Sequence, residues 1–110
     1  MAYDEELASR IRDLVSGEKG LSEKKMFGGL AFLIGGNMAV AASGQGGILV
    51  RVDPDETGKL VSTTKAEPMV MRGKAMDGWL RVGAADVAQR RSLATWVQRG
   101  VSYARTLPPK

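Results

Sequence analysis

Glycine clusters divide residues 25–52 into three short apolar segments, and this division constrains the fold more than any other feature of the chain. The segments are residues 26–34, 38–42 and 48–52, and the clusters between them lie at 35–36 and 44–47. Short apolar runs bounded by glycine turns are typical of antiparallel strands that are joined by hairpins. The stretch therefore predicts three consecutive antiparallel strands.

Amphipathic helices are predicted at both ends of the chain. Residues 4–16 and 86–105 each repeat apolar side chains at helical spacing. The predicted order is a helix at 4–16, the three strands, a short helix after Pro54, strands at 67–71 and 78–82, and a helix at 86–105. Residues 18–23 are interpreted as a polar loop. This α-β-β-β-α-β-β-α order predicts a single domain, residues 1–110, of the α+β class, with two layers and a five-stranded antiparallel sheet.

The composition excludes several kinds of site. The 110 residues contain neither cysteine nor histidine, which removes disulfides, thiolate nucleophiles and the commonest general base. The formal net charge of +4 permits weak attraction to nucleic acid or to acidic proteins without requiring either. The N-terminus lacks the order of a signal peptide, and no apolar run approaches the ~20 residues that cross a bilayer. A cytoplasmic protein with no membrane partner is expected.

No catalytic, cofactor-binding or metal site is predicted. The glycines at 44–47 lie between two strands, whereas a phosphate-binding loop needs the N-terminus of a following helix. Asp53, Asp55 and Glu56 cluster at a helix start, where capping explains them. The serines have no histidine to activate them. A non-enzymatic protein is therefore expected.

Basic residues and methionines leave alternatives open. A set that would contact nucleic acid consists of Arg72, Lys74, Arg81, Arg91 and Arg105. Trp79 would add base stacking to this contact. Alternatively, these charges are solvated and Trp79 is buried against the last helix. The five internal methionines either form an adaptable protein-binding surface or fill the core.

Short motifs along almost the whole chain, from Met-Phe-Gly-Gly to the closing Leu-Pro-Pro-Lys, form a distinctive combination. Their residues include Met26, Phe27, Gly28, Gly29, Gly36, Asn37, Met38, Arg51, Pro68, Met69, Gly73, Met76 and Gly78. In this combination the chain resembles the N-terminal domain of the TfoX/Sxy family. The resemblance implies a secretion-chaperone-like α+β fold and structural or interaction roles for these residues, with no catalytic residue to carry over.

The function that the resemblance implies is regulatory. Full-length members regulate natural competence together with a cyclic-AMP receptor protein at promoters, and they carry a helical C-terminal domain. We expect the 110 residues of this chain to contain only the N-terminal domain. We expect a regulatory or protein-interaction domain that binds a protein, such as a component of the transcription machinery, through its sheet surface or an edge strand. Homodimerisation is also expected, because exposed apolar strands need cover. The alternative is a small nucleic-acid-binding module.

Overall fold

The computed structural model describes residues 3–26 and 28–109. Within them, the helices are α1 (Glu5–Val15), α2 (Thr57–Thr63) and α3 (Arg90–Thr106), and short 3₁₀ turns lie at Pro54–Glu56 and Ala84–Val87. The strands are β1 (Leu21–Met26), β2 (Gly29–Ile34), β3 (Asn37–Ala42), β4 (Ile48–Arg51), β5 (Glu67–Met71) and β6 (Lys74–Val82).

The described strands form one antiparallel sheet in the order β1-β2-β3-β4-β6-β5. The buried apolar residues of all three helices join one side of this sheet in a single hydrophobic core. Its largest fully buried side chains are Phe32, Ile11, Ile48, Leu80 and Leu93. The prediction of an α+β domain with an antiparallel sheet is therefore confirmed.

The predicted number of five strands is wrong, because an edge strand precedes the predicted meander. The segment predicted as a polar loop leads into β1, and the segment predicted as one strand contains the end of β1 and all of β2. Gly28 lies in the connection with a φ of 74°, a left-handed conformation that favours glycine. β1 has one neighbouring strand, and four consecutive polar residues, Ser22 to Lys25, are exposed in it. Its sequence therefore lacks the apolar alternation from which a strand is predicted.

Local signals set most of the remaining boundaries. The Asp4 side chain accepts hydrogen bonds from two backbone N–H groups of the first turn of α1, as a helix N-cap does. α3 begins at Arg90 rather than at residue 86, because the preceding residues form a 3₁₀ turn. β6 begins at Lys74 rather than at residue 78, because only Arg72 and Gly73 separate it from β5.

Candidate protein-interaction surface

The side of the sheet that faces away from the helices carries a second apolar cluster. Its buried floor comes from the adjacent strands β2, β3 and β4, and one side chain each from β1, β5 and β6 packs against that floor. We call the following eight residues the methionine face: Ala31, Leu33, Met38, Ala41 and Leu49 in the floor, and Met26, Met69 and Trp79 packed against it. No helix residue within 3–26 and 28–109 belongs to this cluster.

The apolar sequence of the central strands explains why the sheet has two apolar sides. Side chains alternate between the two sides of a strand. In β2, Phe32 joins the helix-side core while Ala31 and Leu33 join the methionine face. The same alternation in β4 sends Val50 to the helices and Leu49 to the methionine face. Near-continuous apolar strands are therefore the sequence signal of this second cluster.

The methionine face is covered by its own flexible side chains. The floor residues are at most 9% exposed. Met26 comes from one edge strand of the sheet and Met69 from the other, yet both pack on the same central cluster. Met26, Met69 and Trp79 remain partly exposed, so the outer layer consists of two thioethers and an indole.

The neighbouring edge of the sheet is also apolar. Within the described residues, the large hydrophobic side chains classed as exposed are Val70, at 62%, and Met71, at 36%, and both lie in edge strand β5. The opposite edge strand, β1, instead exposes Glu23, Lys24 and Lys25. Charged residues on an edge strand disfavour pairing with another chain, whereas apolar ones permit contact. The β5 edge is therefore the more apolar of the two edges, and Met71 lies on the same side as Met69 by alternation.

Cationic side chains border the methionine face. Strand pairing forms one row across the whole sheet, in the order Lys24, Ala31, Ala41, Leu49, Arg81 and Glu67. Arg51, paired with Trp79, and Lys74, paired with Met71, lie on the same side by alternation. The paired rows thus hold four cations and the one carboxylate of Glu67.

Two of these cations, Arg51 and Arg81, are held by neutral groups. The guanidinium carbon of Arg51 lies 5.0 Å from the ring centroid of Trp79 and 5.7 Å from that of Tyr103, within the range of cation–π attraction. Arg81 donates a hydrogen bond to the side-chain oxygen of Gln45. The ion pairs found among the described residues join Arg12 to Glu23 and Arg105 to Glu18, away from this face. The border of the methionine face is therefore cationic without internal neutralisation by an ion pair in the described part of the chain.

The structure brings only part of the proposed nucleic-acid set together. Lys74 and Arg81 lie on the side of the methionine face, and Arg72 occupies the adjacent turn with a φ of 55°. Arg91 and Arg105 lie on α3, about 21 Å apart along the helix axis. Arg105 is paired with Glu18.

The alternative in which Trp79 is buried against the last helix is wrong. Trp79 packs in the methionine face, and the tryptophan that is buried in the core beside the helices is Trp96 of α3. Arg81 and Trp79 share one side of β6, while Leu80 and Val82 face the helices. The alternation of arginine with apolar residues in this segment is the sequence signal that indicates the less buried side.

The motif residues divide into two physical groups. Turn and packing positions include Gly28, Gly36, Gly73 and Gly78, which have positive φ, and Gly29, where a Cβ atom would overlap the Ala42 carbonyl oxygen. Pro68 lies at a register shift between β5 and β6. Residues of the methionine face or its border are Met26, Met38, Met69, Arg51 and Met76, the last of which pairs with Met69. Phe27 lies outside the described residues.

Asn37 fixes the C-terminal segment. It is a buried polar residue at the start of β3, and its side-chain nitrogen donates to the backbone oxygen of Pro108 at 2.9 Å. Pro109 lies against Gly35 in the adjoining turn. The Leu-Pro-Pro segment therefore lies along one end of the sheet.

A cleft on the helix side holds the acidic residues of the second helix start. Its volume is about 400 Å³, and its lining includes Asp53, Glu56, Arg99 and Tyr103. The Asp53 side chain accepts a hydrogen bond from the Asp55 backbone N–H at 2.9 Å, as expected of a cap. In the part of the chain that the structure describes, no three Asp or Glu residues are grouped as metal ligands would be, and no helix has the length and apolarity to cross a membrane.

Sequence reasoning missed Lys24 and Glu67 as residues of the surface. Lys24 belongs to the edge strand that was not predicted, and Glu67 enters only through its pairing with Arg81. Their positions depend on the pairing register, which a single sequence does not specify without the strand order.

Comparison with known proteins supplies the family. No curated protein and no solved structure matches the chain. The family model of the TfoX N-terminal domain matches residues 13–104, from α1 to the last turns of α3. The match includes the whole methionine face and its cationic border. The chain belongs to the TfoX N-terminal domain family.

Proposed function

We propose that this chain is a non-enzymatic regulatory domain that binds a protein partner through the methionine face. The observation that carries the proposal is an apolar cluster on the helix-free side of the sheet, covered by the partly exposed Met26, Met69 and Trp79. A sheet side of this composition is normally covered by a second layer of secondary structure. A partner protein would supply that layer.

The chemistry of the covering side chains supports protein binding. Methionine has three rotatable bonds and a polarisable sulfur, so it adapts to differently shaped apolar surfaces. Tryptophan is among the residues that contribute most to protein–protein affinity. A partner could pack on Met69 and Trp79, or on the floor if these side chains move aside. In both cases the free energy of binding gains about 25 cal/mol per Å² of apolar area removed from water.

The same side chains support a non-enzymatic role. The described side of the sheet that carries the methionine face presents thioethers, an indole, alkyl groups and cations, and its rows contain one carboxylate, Glu67. General acid–base catalysis and nucleophilic catalysis need positioned acid–base pairs, which this composition does not offer. Membership of the TfoX N-terminal domain family supports a regulatory role, with a component of the transcription machinery as the partner.

Affinity capture from native lysate tests the proposal with three forms of the chain. The wild type is compared with Met71→Glu, which places a charge at an exposed position beside Met69, and with Gln98→Glu, at an exposed position of α3. We expect a protein that is retained by the wild type and by Q98E and is lost with M71E. Equal retention by M71E, or no retention by the wild type, would contradict the proposal.

A second candidate function is binding of single-stranded nucleic acid by the same side of the sheet. It is favoured by the location of Lys74 and Arg81 on the side that also exposes Trp79. Cations and an aromatic ring are the elements of such sites. Phosphate contacts require affinity to fall steeply as salt is raised, so a titration of a labelled single strand at increasing salt decides this candidate.

A further inference from the structure

We infer that the partner segment is an acidic amphipathic helix that lies on the methionine face between its cationic borders. This inference rests on the proposed function, because it names the chemistry of the partner that the face would bind. It is argued from three features of the surface: its shape, its charge and its distribution of apolar area.

The shape of the sheet fits one helix. Helices on a sheet form a stable layer, and the described helices of this chain cover only the other side. Lys24 and Arg81 belong to the same row and are separated by four strand spacings, which corresponds to about 19 Å in a flat sheet. A helix with its side chains is about 10–12 Å wide. A single helix therefore fits over the side chains that cover this row, with a cation within reach of each flank.

The charges favour carboxylates on both flanks of that helix. Lys24 stands on one border, and Lys74 and Arg81 stand on the other, where Glu67 is the one acid in the paired rows. Arg51 lies between the Trp79 ring and the Tyr103 ring of α3, at the end of the sheet. Electrostatic complementarity of this kind sets partner choice and speeds association. An apolar helix stripe with glutamates or aspartates beside it matches the pattern.

Two other ligands match the charge and apolar area of the methionine face less well. A second copy of the chain would bring the same cationic border against Lys24, Lys74 and Arg81, and like charges across an interface disfavour association. A nucleic acid would find phosphate partners at the two borders, but the apolar floor between them has no phosphate partner. Both become outcomes of the test.

The probes are two fluorescein-labelled 20-residue peptides that share an apolar helical stripe. One carries glutamates on both flanks of the stripe and the other carries lysines. Binding to the intact domain is measured by fluorescence anisotropy at low and at moderate salt. We expect the glutamate peptide to bind at least about tenfold more tightly than the lysine peptide, with the preference reduced by salt.

A double charge reversal identifies the surface. Lys24→Glu with Lys74→Glu changes both borders at exposed positions, and we expect it to abolish or invert the tenfold preference. Lys59→Glu with Arg91→Glu makes the same change in net charge at exposed positions of α2 and α3 and should leave the preference within about twofold of the wild type. Circular dichroism of each variant confirms that the fold is retained.

The possible failures separate this inference from the proposed function. Equal binding of the two peptides, or a preference that K24E/K74E leaves unchanged, would overturn the inference of an acidic helix. The proposed protein-binding face would still be supported if capture of a partner is lost with M71E. Failure of both the peptides and the capture would overturn both. Light scattering that shows a dimer dissociated by M71E would identify a second copy as the occupant, and displacement of the peptide by a single-stranded oligonucleotide would identify nucleic acid. Either of these last results would overturn the inference.

Discussion

Replacing Thr57 with valine is expected to destabilise the domain by removing one buried hydrogen bond. The Thr57 hydroxyl oxygen accepts from the backbone N–H of Gly78 at 2.7 Å, and Thr57 is 6% exposed. The carbonyl oxygen of Gly78 accepts from the backbone N–H of Val52 at 2.8 Å. Thr57 therefore joins the first residue of α2 to an irregular point of β6.

The size of the effect follows from what valine leaves behind. Valine has nearly the shape of threonine and a similar helix propensity, so packing and helix formation change little. The N–H of Gly78, however, loses its partner in a buried position, which costs about 1–3 kcal/mol. For a domain of this size, such a loss lowers the melting temperature by roughly 5–20 °C.

Urea denaturation followed by far-UV circular dichroism and tryptophan fluorescence measures this loss. Thr57→Ser keeps the accepting oxygen and should retain most of the stability. Thr63→Ala removes an exposed hydroxyl that bonds to the Lys59 carbonyl oxygen within the same helix, and it should change the free energy of unfolding by about 0.5 kcal/mol or less. A T57V protein as stable as the wild type, or a T57S protein as unstable as T57V, would refute the reasoning.

Other changes have expected results of the same kind. Gly58→Ala should raise the free energy of unfolding by about 0.5–1 kcal/mol, because the added methyl group meets open space in a helix. Gly100→Ala should lower the free energy of unfolding, because its Cβ would overlap the Ala39 carbonyl oxygen. Thermal melts compare the two variants with the wild type. The hydrogen bond from Arg12 holds the pKa of Glu23 below its ordinary value, so the stability that Glu23 adds over Glu23→Gln should be present at neutral pH and be lost as the pH falls through that lowered pKa. Urea titrations of both proteins at pH 7 and at pH 3 check this sign. Asn37→Ala should free the Pro108 segment, which limited proteolysis would detect as faster C-terminal cleavage.

Strong local signals made most of the fold predictable from the sequence. The apolar periodicity of α1 and α3 and the glycine turns around β3 depend on residues close to one another in the chain. β1 could not be predicted in this way. Its residues 22–25 are all polar, and they form a strand because β2 offers a partner edge, which is a tertiary effect.

The residue types of the candidate surface were predictable, but its arrangement was not. The methionines were recognisable as either core or contact residues, and the structure packs Met26 and Met69 against one cluster although they come from opposite edges of the sheet. The side on which Trp79 lies depends on which alternate residues of β6 face the helices. Arg81, two residues further along, lies on the same side as Trp79, and its charge was the sequence signal that this side is the less buried one. The grouping of Lys24 with Arg81 requires the full strand order, since their strands are separated by three others.

The irregular point that Thr57 holds also determines how Trp79 is presented. Pro68 pairs with Leu80 and Met69 pairs with Met76, so β6 contains three more residues than β5 in this interval, 77–79. Extra residues of this kind re-aim side chains, and Gly78 adopts a φ of 87° immediately before the tryptophan. Trp79 then pairs with Arg51 of β4 while it packs only partly into the methionine face. Since one hydrogen bond fixes this geometry from the helix side, T57V should weaken partner binding as well as stability, whereas G100A should reduce stability with less effect on binding by the folded fraction.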